Sequence, residues 1–409
     1  MLKIPNSRRE FLQTIGAAGA VSLSGALPGL WSRCLAAETT AAANDRILVL
    51  IQLAGGNDGL NTVVPTADDA YYKARPGIAI GRGAALGLND RVGLHPSLAG
   101  FRKLWDAGRL AIVEGVGYPQ PDRSHFRSMD IWHSAAPENL YPETGWIGRS
   151  LDQLTLRPQD SREAACVGMD KQPLACIGEK VTPPTIQRLD DFRLDRLPSA
   201  IRGVDSPQWI SASTGSASGE LEFLRRSAVA TVASARRLEN LADYRPAIEY
   251  PASGLGRKLR LVAQMIAAEL PTRIFFVSLE GFDTHAQQQP GHAALLAELS
   301  SAVEAFVGDL DEHGLGRRVL VTTFSEFGRR VAENGSLGTD HGAASVLFAV
   351  TPEGKGGLYG TAPSLTDLDD GDPRFTTDFR RVYATILDRW LEIPSAPVLG
   401  GDFAPLAFA

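Results

Sequence analysis

The sequence predicts an α/β fold, with a largely parallel central sheet, helices on both faces and a loop-rich cover. Three observations predict it. Apolar runs rich in β-branched and aromatic residues recur at Arg46 to Leu53, Leu110 to Gly115, Ile274 to Leu279, Arg318 to Phe324 and Ser345 to Val350. They lack a helical period and read as strands buried on both faces. Stretches with helical spacing lie between them, and the one before Arg318 has the right length for a β-helix-β crossover. Polar groups capable of chemistry follow several runs directly, at the edge where open α/β sheets collect their sites.

The chain starts with a segment that stands apart from the fold. Lys3, Arg8 and Arg9 form a basic region, SRREFL spans Ser7 to Leu12, and a small apolar stretch runs from Ile15 to Leu30. Ala36 and Ala37 offer a small-residue cleavage site. The pattern resembles the bacterial twin-arginine export signal, so residues 1–37 are expected to be removed after export by that machinery. The apolar stretch is too short and too rich in glycine and proline for a comfortable membrane span. No stable span is expected after cleavage, and the expected location is the periplasm or the exterior. Residues 38–44 read as a linker and 45–409 as the α/β domain. The chain is 44% hydrophobic and 22% charged with a net charge of −6, which is globular and offers no basic footprint for nucleic acid. Cys166 and Cys176 are the cysteines of the mature chain, and their spacing alone does not establish a disulfide.

In chain order, the first run ends in AGGNDG, which places Asp58 just past a strand; a turn-forming Asn-Asp-Gly is the plainer reading. Leu60 to Arg91 looks irregular apart from a short helix near Tyr71 to Pro76, and Pro96 to Ala107 has helical spacing. After the second run, a proline-bearing loop leads to SHFRSMDIW. Ser124 stands at a helix start, either as an N-cap or as a nucleophile favoured by free N–H groups and the positive dipole end. His125 is a candidate ligand or proton carrier, and Arg127 a candidate partner for an oxyanion, unless both are ordinary surface or packing residues. His95 and His133 read as structural. Residues 136–202, rich in proline and charge, read as an insertion covering the sheet edge. Gly219 to Leu241 and Leu255 to Glu269 read as helices.

The third run then delivers Asp283 and His285, candidate metal ligands or a turn with a neighbouring histidine. Ala293 to His313 follows as a helix, with His292 and His313 read as surface residues. Glu326 comes directly after the fourth run, and Asp340 and His341 lie in the next loop. Asp378 to Leu391 reads as a terminal helix. Oxygen and imidazole donors without thiolates suit zinc, manganese, magnesium or calcium, one ion or two. Two such clusters would suit phosphoryl or sulfuryl ester hydrolysis, and a metal-stabilised or ligand-binding domain is the competing reading.

Taken together, LVLIQLAGGNDGLNTVVP, YYKARPGIAI, DRSHFRSMDIW, GFDTHAQQ, SEFGRR and GTDHG resemble the bacterial family called domain of unknown function 1501. That family is similar to the alkaline phosphatase and sulfatase superfamily, which implies an alkaline-phosphatase-like fold with metals at the carboxyl edge. The resemblance places Asp58 as the first metal carboxylate, Ser124 as the nucleophile, and Asp283 and His285 as the next pair. Two registers compete for the remaining ligands. In one, Asp340 and His341 form the Asp-His pair and no final histidine follows. In the favoured one, Glu326 takes the acidic place and His341 is the last ligand. Asp283, His285 and His341 would then hold one ion, and Asp58, Glu326 and Ser124 the other. The cysteines fit no formylglycine motif, so a sulfatase mechanism of that kind is not implied.

Overall fold

The computed structural model describes residues 45–155, 163–168, 171–181, 183, 185–186, 244–270, 272–352 and 354–409. Its central sheet has nine strands. In chain order they are β1 (Ile47–Ala54), β2 (Leu110–Gly117), β3 (Glu163–Val167) and β4 (Thr185–Ile186), then β5 (Thr272–Glu280), β6 (Val319–Phe324), β7 (Ser345–Val350), β8 (Gly357–Gly360) and β9 (Thr377–Asp378). The spatial order is β8-β2-β7-β6-β1-β5-β3-β4, with β9 paired to β2. β7 runs antiparallel to both neighbours and every other pairing is parallel.

The run of apolar residues in β1 is explained by two cores. Val49, Ile51 and Leu53 face one layer, with Leu259 and Phe306, while Leu48 and Leu50 face another, with Trp132, Trp146 and Tyr383. Alternate side chains of a strand point to opposite faces, so a strand covered on both sides must be apolar throughout. Helices α1 (Ala99–Asp106), α4 (Gly254–Ala267) and α5 (Gln288–Glu312) cover the first face. Helices α2 (His125–Ser134) and α3 (Trp146–Thr155), with α6 (Phe379–Ala384) and the π-helical turns that extend it from Thr385 to Leu391, cover the second. Among the described residues no helix is long and apolar enough to cross a membrane.

The register levels the strand ends. Ala54 lies opposite Glu280, and Gln52 opposite Phe324, so the loops carrying Asp58, Asp283 and Glu326 leave one edge side by side.

Several expectations change. The stretch read as cover, 136–202, contributes α3 and the sheet strands β3 and β4. A small three-stranded sheet, with strands at 63–64, 86–87 and 93–94, organises the region read as irregular. Helix α5 begins at Gln288, ahead of the apolar pattern, which makes His292 an interior residue: it is 1% exposed, with Nε2 2.9 Å from Asn57 Oδ1. His313 is exposed, and His95 and His133 are buried. Cys166 and Cys176 are both buried free thiols. The export segment, the linker and the helix read at Gly219 to Leu241 lie outside the described residues.

Candidate metal centre

Three chain segments meet at the carboxyl edge because glycine lets their backbones touch. Gly55 follows β1 at φ +120°, and a Cβ there would lie 2.4 Å from the Asp283 nitrogen. No L side chain fits that approach. Phe282 N–H donates to the Ala54 carbonyl at 3.0 Å and fixes the chain entering Asp283. A Cβ on Gly338 would lie 2.3 Å from the His285 carbonyl, so the loop after β6 presses on His285. That loop doubles back: Arg330 N–H donates to Asp340 O at 3.0 Å and Gly342 N–H to Gly328 O at 2.9 Å, which turns His341 toward the β5 loop. The fourth contributor, His125, opens α2.

The imidazoles converge on Asp283. His285 Nε2 and His341 Nε2 lie 3.0 and 3.1 Å from Asp283 Oδ1, and His125 Nε2 lies 3.4 Å from Oδ2. The two nitrogens of His285 and His341 are 2.8 Å apart. One ligand atom each from His125, Asp283 and His341 falls within 4.8 Å of the others, the one such group among the described residues. For comparison, a tetrahedral ion with bonds of about 2.1 Å separates its donors by about 3.4 Å.

The opposite ring nitrogens decide which lone pairs are free. His341 Nδ1 is 2.7 Å from the Arg123 carbonyl, an acceptor, so Nδ1 carries the proton and Nε2 is bare. His125 Nδ1 is 2.9 Å from Glu326 Oε1, and His285 Nδ1 is 3.4 Å from Asp340 Oδ1. An oxygen behind each imidazole is also the usual outer arrangement of histidine ligands. Three bare nitrogens around a carboxylate repel one another unless a proton or a cation lies among them. The donor set therefore fits a metal ion.

Arg329 sets the carboxylate. Buried at 1% exposure, it donates from Nε to Gly56 O at 2.7 Å, from Nη1 to Thr339 O at 2.9 Å, and from Nη2 to Phe282 O and Asp283 Oδ1, both at 2.9 Å. Burial alone would raise the Asp283 carboxyl, but the hydrogen bond and charge of the Arg329 guanidinium outweigh it and hold it below the usual carboxylate range. Burial lowers His341 against the hydrogen bonds that favour its charged form, which keeps a neutral ring available. Asp340 is held below the usual carboxylate range by hydrogen bonds from Asn334 and His285. Sequence reasoning gave Arg329 no role, although an arginine so soon after a buried strand was a signal.

The other expected residues have different partners. Asp58 is fully buried and its oxygens are all engaged: Arg75 Nη1 at 2.6 Å, Gln288 Nε2 at 2.5 Å, and the N–H groups of Leu60 and Asn61 at 3.2 and 3.3 Å. It caps the helical turn Gly59–Thr62 and is neutralised by a guanidinium, which leaves no lone pair for a cation. Glu326 accepts from Gly55 N–H and faces His125, so it stands behind a donor rather than among the donors. The second ion expected between Asp58, Glu326 and Ser124 has no assembled ligand set among the described residues. Ser124 occupies the N-cap of α2 with its side chain making no cap bond; it is exposed, and its N–H donates to Asp122 at 2.7 Å. Arg127 turns away, donating to the carbonyls of Glu138 and Leu140 at 2.5 and 2.6 Å and stacking on Tyr141.

No curated protein matches the chain. Solved structures similar to it include the lipoteichoic acid synthase LtaP from Listeria monocytogenes, at 9% identity and a TM-score of 0.35, over 85% of this chain and 80% of that one. The phosphonate monoester hydrolase of Agrobacterium radiobacter is 10% identical with a TM-score of 0.34, over 87% of this chain and 78% of its own. Alkaline phosphatase from the Antarctic bacterium TAB5 is 12% identical with a TM-score of 0.31, over 78% of this chain and 95% of its own. At these values the likenesses assign no reaction and no ligands. A family model described as "Protein of unknown function (DUF1501)" matches residues 113–393, more than half of the chain, and the chain belongs to that family.

Proposed function

We propose that this protein is an exported, metal-dependent hydrolase of phosphate or sulfate esters, with one divalent ion held by His125, Asp283, His285 and His341. The observation that carries the reading is the convergence of three imidazole Nε2 atoms on one carboxylate, with an oxygen behind each ring. Three imidazoles and a carboxylate suit zinc or manganese better than magnesium or calcium, which prefer oxygen donors. A divalent ion there supplies Lewis acidity toward an ester oxygen.

The chain's own residues do the rest. Asp283 and His285 are 45% and 44% exposed at the side chain, so the cluster opens to solvent and to a substrate. Ser124 adjoins His125 at the amino end of α2, where backbone N–H groups and the dipole favour an incoming anion. Its uncommitted hydroxyl is the proposed nucleophile, and the Asp122 bond to its backbone fixes its position. Export through the twin-arginine route follows the reading of residues 1–37 and lets the ion be bound before transport.

Elemental analysis of protein matured through its own export route, with phosphomonoester, phosphodiester and sulfate ester assays, tests the proposal. One ion per chain, and turnover lost in Ser124→Ala and His341→Ala, is expected. Full turnover in both variants refutes the mechanism. A second reading, a structural ion, is favoured by His285, whose Nε2 stands 3.0 Å from Asp283 Oδ1 and would add a fourth protein donor to close the coordination shell. It predicts that chelation lowers the melting temperature of a protein that turns over none of these esters.

A further inference from the structure

A cavity of about 480 Å³ opens at the carboxyl edge of the sheet, lined by Gln120, Arg123, Asp369, Asp372, Arg374 and Phe375. Small-molecule sites occupy about 300–1,000 Å³. β7 is antiparallel to both β2 and β6, so β2 ends at the same edge as β6 and β1, and the loop after it carries Gln120 and Arg123. Arg123 also joins the cavity to the proposed metal donors. Its carbonyl faces His341 Nδ1 at 2.7 Å, and Ser124 is the next residue in the chain.

The charges on this wall are already matched. Arg123 Nε and Nη2 lie 3.0 and 2.8 Å from Asp372 Oδ2, and Arg374 Nη1 lies 3.4 Å from Asp369 Oδ2. Two guanidiniums facing two carboxylates select neither an anion nor a cation, but they leave donors and acceptors. Asp372 is 3% exposed, and its Oδ1 accepts no hydrogen bond among the described residues, while Arg330 Nε at 3.6 Å balances its charge. A neutral O–H satisfies such an oxygen without adding charge. Arg374 is half exposed and meets Asp367 and Asp369 only at 3.3 and 3.4 Å, so its remaining N–H groups can turn to a ligand. Gln120 is held at φ +49°, a conformation seldom taken by a side chain of its kind and one that clusters at binding sites. Phe375, half-buried, adds an apolar face. A pyranose has the matching surface, with hydroxyls that donate and accept around its edge and C–H groups on its face. We propose that this cavity binds a sugar ring, its hydroxyls on Asp372, Arg374 and Gln120 and its C–H face on Phe375. That the ring is the alcohol part of the ester rests on the hydrolase reading; its binding does not.

The test titrates the full mature protein, with and without a chelator, by saturation-transfer NMR. The probes are the methyl glycosides of glucose, galactose, mannose and fucose, with cyclohexanol and cyclohexylammonium chloride as rings that lack the hydroxyl pattern. At least one glycoside should bind in both conditions, at least tenfold more tightly than either control. Arg374→Met and Gln120→Gly should each weaken that binding at least tenfold. Gln120→Gly should melt no lower than the wild type, because glycine takes a positive φ freely, so its loss of binding is not a loss of fold. Absence of binding by all four glycosides, equal binding of cyclohexanol, or undiminished glycoside binding in both variants would overturn the proposal. Turnover separates the two readings. If phosphate esters are cleaved, glucose 6-phosphate should exceed cyclohexyl phosphate at least tenfold in kcat/KM, and parity would overturn the placement of the sugar. If no ester is cleaved, the hydrolase reading fails, and the glycoside titration still decides the cavity.

Discussion

Asp58→Asn separates the two roles available to that residue. The Asp58 and Arg75 side chains are both 0% exposed and meet at 2.6 Å. Burial by itself would raise the Asp58 carboxyl, and the Arg75 guanidinium instead holds it below the usual range. An asparagine keeps one acceptor oxygen. Whichever way it turns, its amide N–H groups face donors, either Arg75 and Gln288 or the Leu60 and Asn61 N–H groups. Breaking a buried pair from one side costs about 3–5 kcal/mol. For a domain of 365 residues (45–409), an unfolding entropy of about 2.1 cal/mol/K per residue converts that to a fall of about 4–7 °C in melting temperature. The assay is thermal unfolding alongside metal content per chain, and the expected result is a less stable protein with its ion retained. Adding Arg75→Met should cost far less than its effect alone, because each single change leaves a buried charge unpaired. A variant that melts within about 1 °C of the wild type but has lost its ion would refute this reasoning and make Asp58 a ligand.

Other perturbations address the rest of the architecture. Glu326→Gln removes the carboxylate behind His125, and competition with a chelator should show affinity for the ion weaker by about 10–100-fold; unchanged affinity would remove His125 from the donor set. Gly55→Ala places a Cβ 2.4 Å from the Asp283 nitrogen at φ +120°, so it should displace the β5 loop and abolish metal retention; an ordinary ion content would mean that the loops do not touch. His133 and His292 are both lowered to about 4 by burial. The unfolded chain takes up protons first, so stability is full above about pH 6.5 and declines as pH falls toward 4, by about 3 kcal/mol for each residue. Urea denaturation at pH 8, 5.5 and 4 measures the slope, and replacing His292 with Gln should roughly halve it.

The strands were legible because burial on both faces forces an uninterrupted apolar run, as at Ile274 to Leu279. The loops after them were legible because such runs must end where glycine and polar residues begin. Asp283 and His285 could be named for the same reason, whereas His341 became the last ligand only through the family resemblance. Side-chain partners were not legible. Nothing in the sequence links Asp58 to Arg75, at the end of a short helix, and the pairing changes what that acid can do. Glu326 is a carboxylate after a strand in either role, and only the distance to His125 Nδ1 separates a donor from its support. His292 looked superficial because the apolar pattern of its helix begins at the next residue, while the helix itself starts four residues earlier.

The carbonyl of Arg123 behind His341 has a consequence for biosynthesis. The donor set is spread from residue 125 to residue 341, and the ring that completes it is oriented by a peptide group 218 positions earlier. If the proposed ion is bound there, a ribosome must release nearly the whole domain before its cage is complete, and loading would be a late, post-synthetic event. Stalled nascent chains ending before Asp340 should retain no ion, and the arrival of metal would mark the chain as finished.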